Sequence, residues 1–227
     1  MVSAEGVATD LAKTETVSQW PIPRTLKDLR SFLGFASYYR RFVPGFAQTG
    51  APLHQLVAQI SEKGKNKKGT ITSERWEGKC QKAFDNLRNA LTSAPVLAYP
   101  DYTKPFIVET DASDKGLGAV LSQKQDGKLR VIAYASRGLR GAERNMKNYS
   151  YMKLELLALK WAVAETFWEY LLGSELVVYT DNNPLTYLQS KSKLKAVEQR
   201  WAGELASFNF KIKYRAGKHN TNADDLS

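Results

Sequence analysis

Two aspartates lie in near-identical surroundings, Val108-Glu-Thr-Asp-Ala112 and Val178-Tyr-Thr-Asp-Asn182. Each follows a short apolar run, so Asp111 and Asp181 read as carboxylates at the carboxyl ends of strands. A carboxylate there is poorly solvated and needs a partner or a metal, and in open sheets that rim is where ligands bind. The ordinary account is a helix N-cap. It suits Asp181, just before Pro184, but not Asp111, which precedes a strand opening at Gly116 and Gly118. Glu155 falls at the margin of an apolar helical stripe, and Asp224 and Asp225 near the C-terminus pass singly for helix-start acids. Taken together, three or four convergent carboxylates make a hard oxygen site suited to Mg²⁺ or Mn²⁺. One cysteine, Cys80, and two histidines, His54 and His219, cannot fill a zinc site. Two divalent ions ~3.5–4 Å apart would activate a water and stabilise the leaving oxygen of a phosphodiester. Spacing alone leaves the two accounts level.

The elements that must position these acids follow from periodicity. Thr25 is a candidate N-cap for a helix carrying Leu26, Leu29, Phe32, Leu33, Tyr39 and Phe42, stopped by Pro44 and Gly45. Pro52–Ile60 reads as a second, shorter helix. Ser61–Thr70, with four lysines, reads as a solvated linker. Ser73 opens a third helix with an apolar stripe of Trp76, Cys80, Phe84, Leu87 and Leu91. The period then changes to strands at Pro105–Asp111, Leu117–Gln123 and Lys128–Ala135, the last two joined by an Asp126-Gly127 turn. A long helix, Tyr149–Tyr170, precedes a fourth strand at Glu175–Thr180. Short helices at Pro184–Leu188 and Ala196–Ser207 lead to a fifth strand, Phe208–Tyr214, and Asn222–Ser227 opens a last helix. This order predicts an α/β fold, a mixed five-stranded sheet flanked by helices and preceded by a small helical region. The boundary falls after residue 72, giving units 1–72 and 73–227.

The chain has 227 residues, 43% of them apolar and 25% charged, which excludes wholesale disorder and leaves enough apolar material for a real core. No apolar run approaches the ~18 residues of a membrane span, and Met1-Val-Ser-Ala-Glu-Gly6 is too polar for a secretory signal. A lone cysteine fits a reducing, intracellular compartment. The formal charge of +10 attracts polyanions and makes nucleic acid the first candidate partner. Tyr38-Tyr39-Arg40-Arg41 sets aromatic and basic groups side by side, a pattern suited to a nucleic-acid backbone, with core packing an equal reading for half of the aromatics.

The sequence resembles the later part of the reverse transcriptase of gypsy-type (Metaviridae) long-terminal-repeat retrotransposons. Trp20-Pro-Ile-Pro23 and Leu29-Arg-Ser-Phe-Leu-Gly-Phe-Ala-Ser-Tyr-Tyr-Arg-Arg-Phe-Val-Pro44 are similar to the thumb that follows the polymerase palm. Leu91-Thr-Ser-Ala-Pro-Val-Leu97 is similar to the lead into the ribonuclease H domain. Thr110-Asp-Ala-Ser113, Tyr134-Ala-Ser-Arg137, Asn148-Tyr-Ser150, Glu155-Leu-Leu157, Tyr179-Thr-Asp-Asn-Asn-Pro-Leu185, Tyr214-Arg-Ala-Gly-Lys218 and Asn222-Ala-Asp224 are similar to that domain. The resemblance implies a ribonuclease H-like fold behind a thumb-like region. It also implies hydrolysis of the RNA strand of RNA–DNA hybrids, leaving a 3′-hydroxyl and a 5′-phosphate. Asp111, Glu155, Asp181 and Asp224 take the places of the family's four metal-binding, catalytic carboxylates, with two Mg²⁺ ions, or Mn²⁺, as cofactors. Asp111 is expected to bridge the ions. Arg40, Arg41, Tyr214, Arg215 and Lys218 are the candidate nucleic-acid contacts. The implied partners are a hybrid or other nucleic-acid duplex and the polymerase domain, whose catalytic aspartates are missing from these residues. The expected setting is the cytoplasm or retroelement particles.

Two departures stand out. Tyr214, ten residues before Asp224, occupies the place where many relatives carry a mobile histidine, and His219 is too near Asp224 for that role. Asp225 stands where the family usually has alanine. The rival reading is a domesticated or truncated fragment that binds nucleic acid or protein without cutting. Cleavage of a labelled hybrid in Mg²⁺, repeated in EDTA, separates the two.

Overall fold

The structure, a computed structural model, describes residues 2–3, 6–9, 11–62, 70–145, 150–181 and 194–215. The expected helices at Pro184–Leu188 and Asn222–Ser227 lie outside the described residues, as do Lys218, Asp224 and Asp225.

Three short elements open the chain where periodicity announces none: β1 (Val2–Ser3) pairs antiparallel with β2 (Gly6–Val7), and α1 (Leu11–Ser18) follows. Thr25 caps α2 (Leu26–Tyr38) as its position predicts. Its hydroxyl accepts the Asp28 amide at 3.1 Å, and the Asp28 carboxylate accepts the Thr25 amide at 3.0 Å. That reciprocal pair satisfies two of the donors a helix start leaves open. A single tight turn, Arg40–Phe42, leads to α3 (Phe46–Glu62), which starts six residues earlier than Pro52 suggests. A proline inside a helix deprives one carbonyl of its donor. Here the extra turns are held from outside, with Phe46 buried and the Ala47 amide donating to Ser136 Oγ at 2.9 Å.

The next helix, α4 (Gly78–Thr92), begins later than Ser73 because the Arg75 and Trp76 amides both fold back onto the Thr72 carbonyl. Its stripe of Cys80, Phe84, Leu87 and Leu91 is buried as expected. The partners are helices, not the sheet: these side chains join Leu29, Phe32, Leu53 and Leu56 in one core. The Phe32 and Phe84 rings meet at 4.6 Å between centroids.

Five strands form the main sheet: β3 (Phe106–Ala112), β4 (Gly116–Gln125), β5 (Lys128–Gly138), β6 (Glu175–Thr180) and β7 (Asn209–Tyr214). Their order across the sheet is β5-β4-β3-β6-β7. The first three pair antiparallel, while β6 lies parallel to both β3 and β7. Asp126 and Gly127 turn the β4–β5 hairpin with φ of 51° and 75°, the left-handed pair that Asp-Gly supplies. Between β5 and β6 the chain crosses over as α5 (Tyr151–Lys160), a wide turn (Trp161–Thr166) and α6 (Trp168–Leu171). The expected single helix is interrupted by one wider loop of backbone, in which the Phe167 amide reaches back to Ala162 O. There Lys160 is tied to Glu165 at 2.5 Å and to Glu204 of α7 (Ala196–Leu205) at 3.0 Å. Leu154, Leu157, Ala158 and Trp161 pack with Phe106, Val108, Leu121, Val178 and Phe210 to make the second core. Full burial of each large side chain contributes about 1.5–3 kcal/mol.

The two cores meet along β5, an edge strand, against which α3 and the Arg40–Phe42 turn pack.

Candidate active site

The register explains why Asp111 and Asp181 meet. Glu109 of β3 is level with Tyr179 of β6 on adjacent parallel strands, so the residues two further on leave the sheet on one face and at one end. Neighbouring strands are ~4.8 Å apart, which brings the two carboxylates close. The matching contexts in sequence are therefore matching places in the sheet.

Glu155 comes from the crossover. α5 lies across β3, and its second turn brings Glu155 onto the rim, fully buried. Burial first, then the negative charges of Asp111 and Asp181, push its carboxyl up to about 8. The Tyr151 hydroxyl and the Ala112 amide face it and draw the other way, without closing a hydrogen bond of good geometry. Both Glu155 oxygens are buried without a hydrogen-bond partner. Tyr151, one helical turn earlier, places its hydroxyl 3.4 and 3.5 Å from the two Asp181 carboxylate oxygens. Burial and the charges of Glu155, Asp181 and Asp111 raise the phenol well above its ordinary value. All three acids thus act electrostatically on one point. Among the described residues no three His, Cys, Asp or Glu side chains form a group able to hold an ion as the side chains stand. The donor set nonetheless suits a hard divalent cation, since every donor is a carboxylate oxygen and Glu155 offers two that nothing else satisfies.

The nucleic-acid candidates separate. Arg40 and Arg41 are exposed, beside an 80%-exposed Tyr38. Tyr214 is half exposed at the end of β7. Arg215 is engaged within the fold: its guanidinium pairs with Glu109, sits 3.7 Å above the Tyr179 ring centroid, and its amide donates to Thr180 O at 2.9 Å. Glu109 is fully buried directly behind Asp111 on the same face. Sequence reasoning passed over Glu109, and it marked Tyr151 only as less polar than the substrate-contacting positions of some relatives. For Glu109 a signal existed, because a charge in the middle of an apolar strand must find a counter-charge. The place of Tyr151 beside Asp181 depends on where α5 crosses the sheet.

A profile of the RNase H-like domain found in reverse transcriptase matches residues 76–178. The retrovirus-related Pol polyprotein from transposon opus of Drosophila melanogaster is 36% identical over 228 residues, all of this chain and 22% of that one. The one from transposon gypsy of the same fly is 38% identical over 230 residues, all of this chain and 21% of that one. The transposon Tf2-3 polyprotein of Schizosaccharomyces pombe is 34% identical over 233 residues, all of this chain and 16% of that one. The chain therefore spans about a fifth of the length of the curated relatives it matches. Among solved structures, foamy viral protease-reverse transcriptase in complex with RNA/DNA hybrid superimposes with a TM-score of 0.72 at 22% identity, covering 95% of this chain and 28% of that one. The same enzyme in complex with dsDNA gives 0.71 at 24% identity, covering 93% and 42%. These likenesses show the fold: a ribonuclease H-like mixed sheet with helices, behind a helical region. Aligned along its whole length with stretches of these polyproteins, and matching the RNase H-like domain found in reverse transcriptase over residues 76–178, the chain is similar to the Pol polyproteins of gypsy-type long-terminal-repeat retrotransposons.

Proposed function

We propose that the chain hydrolyses the RNA strand of RNA–DNA hybrids as the nuclease part of a retroelement reverse transcriptase, with residues 1–72 as its thumb-like region and 73–227 as the ribonuclease H-like domain. The observation that carries this reading is Glu155, a fully buried carboxylate with two unsatisfied oxygens, facing Asp111 and Asp181. A structural glutamate would not be left so, because a buried polar group without a hydrogen-bond partner costs about 1–3 kcal/mol even when it is protonated. Asp111, Glu155, Asp181 and Asp224 would hold two Mg²⁺ ions, or Mn²⁺. When bound, such ions polarise a phosphodiester and sharpen water as a nucleophile. The chain's own part is to fix the carboxylates on the rigid ends of β3, β6 and α5, so that the phosphate meets a preorganised rim. Tyr151 orients Asp181 through its hydroxyl.

Arg40, Arg41, Tyr214 and Lys218 would touch the nucleic-acid backbone. Arg215 would serve the same end indirectly, holding β7 against β6 beneath the rim. The foamy viral enzyme seen with RNA/DNA hybrid supports a duplex as the partner.

The test is a labelled hybrid incubated in Mg²⁺ and then in EDTA. RNA should be lost only when the ion is free to bind. Asp111→Asn should slow that loss by more than about 100-fold, beyond what removing a partner of a metal ligand costs, with an unchanged melting temperature. Equal turnover in the Asn variant would remove the assignment, and tight binding without cleavage in the parent chain would return it to a binding module.

A further inference from the structure

Two clefts flank the contact at which α3 docks on β5. The first, about 410 Å³, lies between the Arg40–Phe42 turn and the β5 edge, with Arg40, Arg41, Arg137 and Arg140 in its walls. The second, about 640 Å³, lies between α3 and the start of β4, with Arg40, Gln48, His54, Lys115 and Arg144. Both include Ser37, Arg40 and Ser136, so they form one seam. Its cations outnumber its acids, which are Asp114 and Glu169. Among the described residues Arg137 alone of these cations is ion-paired, to Glu143 at 2.6 Å. Gln48 adds a second observation. Both of its amide atoms are buried without a hydrogen-bond partner, in the first turn of α3 where the second cleft begins.

We propose that this seam is a phosphate-backbone site, separate from the carboxylate rim and built jointly by the helical region and the nuclease sheet. It rests on the reading of the chain as a hybrid nuclease and names where the duplex is held beyond the cleaved bond. Three features favour a nucleic-acid strand over a small anion. Arginine forks match phosphate oxygens. Tyr38, 80% exposed in the wall of the first cleft, offers a ring to a sugar or base. The second cleft reaches Lys115, in the turn that leaves β3 just after Asp111, so a strand lying in the seam runs on to the rim.

The experiment is anisotropy of a labelled RNA–DNA hybrid in EDTA, between about 50 and 200 mM salt. Every phosphate that a variant no longer neutralises flattens the log–log salt slope by roughly 0.7–0.9. Arg40→Ala with Arg140→Ala should weaken binding about tenfold and flatten the slope by roughly 1.5. Lys82→Ala with Lys124→Ala, removing the same charge from exposed sites elsewhere, should change affinity less than about twofold. Equal effects of the two pairs would overturn the seam. So would displacement by polyglutamate as ready as by unlabelled hybrid, which would make it a protein-docking face. If the arginine pair binds like the parent while the parent cuts hybrid in Mg²⁺, the seam falls and the nuclease reading stands. If the arginine pair loses binding while the parent cuts nothing, the seam stands and the nuclease reading falls.

Discussion

Glu143 shows how one side chain ties several parts of the fold. Its two oxygens take both nitrogens of the Arg137 fork at 2.6 and 3.1 Å, and one also accepts the Arg140 amide at 2.7 Å. Burial pushes the carboxyl up, but these bonds and the arginine charges outweigh it and hold it below its ordinary value of 4.5. The folded chain thus binds this proton less readily than the unfolded one. The stability it contributes is complete above about pH 4.5 and is lost as pH falls through the lowered folded value. Glu143→Gln should cost about 1–2 kcal/mol in urea unfolding at neutral pH, a loss that shrinks as the pH falls below about 4.5 and through the lowered folded value. An undiminished cost at the lower pH would contradict the account. At the same scale, Asp111 and Asp181 could be picked out from sequence because strand ends repeat a pattern. Glu155 needed more: only the crossing of α5 over β3 turns a marginal helical position into a buried one. Arg215 was legible as a cation but not as the partner of Glu109, 106 residues away.

At the scale of elements, local chemistry was readable and long-range docking was not. The Thr25 cap and the Asp126-Gly127 turn are settled within a few residues, and both stand where their sequences put them. The start of α3 depends on Ser136 and the side α4 takes depends on Phe32, and neither is local. The wide turn after α5 has no residue signature at all; it is one extra residue of backbone. Gly116 at the start of β4 marks a close approach of elements that sequence could only hint at. A Cβ there would lie 2.7 Å from the Arg137 carbonyl and 3.0 Å from Gln48 Nε2. The carbonyl belongs to the β5 ladder and cannot withdraw cheaply. Gly116→Ala should therefore cost about 1–3 kcal/mol, seen as a lower melting temperature, whereas Gly34→Ala, with open space around it, should cost nothing measurable.

For the whole molecule, the question is whether two cores behave as one. They are joined by the contacts of α3 and of the Arg40–Phe42 turn on β5. Phe84, fully buried in the helical core, has no part in the sheet. Phe84→Ala should cost about 3–5 kcal/mol, and with joined cores the helical and sheet signals should still be lost in one coincident transition. Separate melting of the two signals would show that the halves are only tethered.

Strand β5 carries a further consequence. Its outer side is a row of backbone donors and acceptors of the kind that recruits a strand from another molecule. Here α3 and the turn before it lie along that margin. The helices ahead of the sheet thus double as a guard against self-association. A sheet fragment trimmed of them would bare this margin and tend to stack, copy upon copy, into insoluble ribbons.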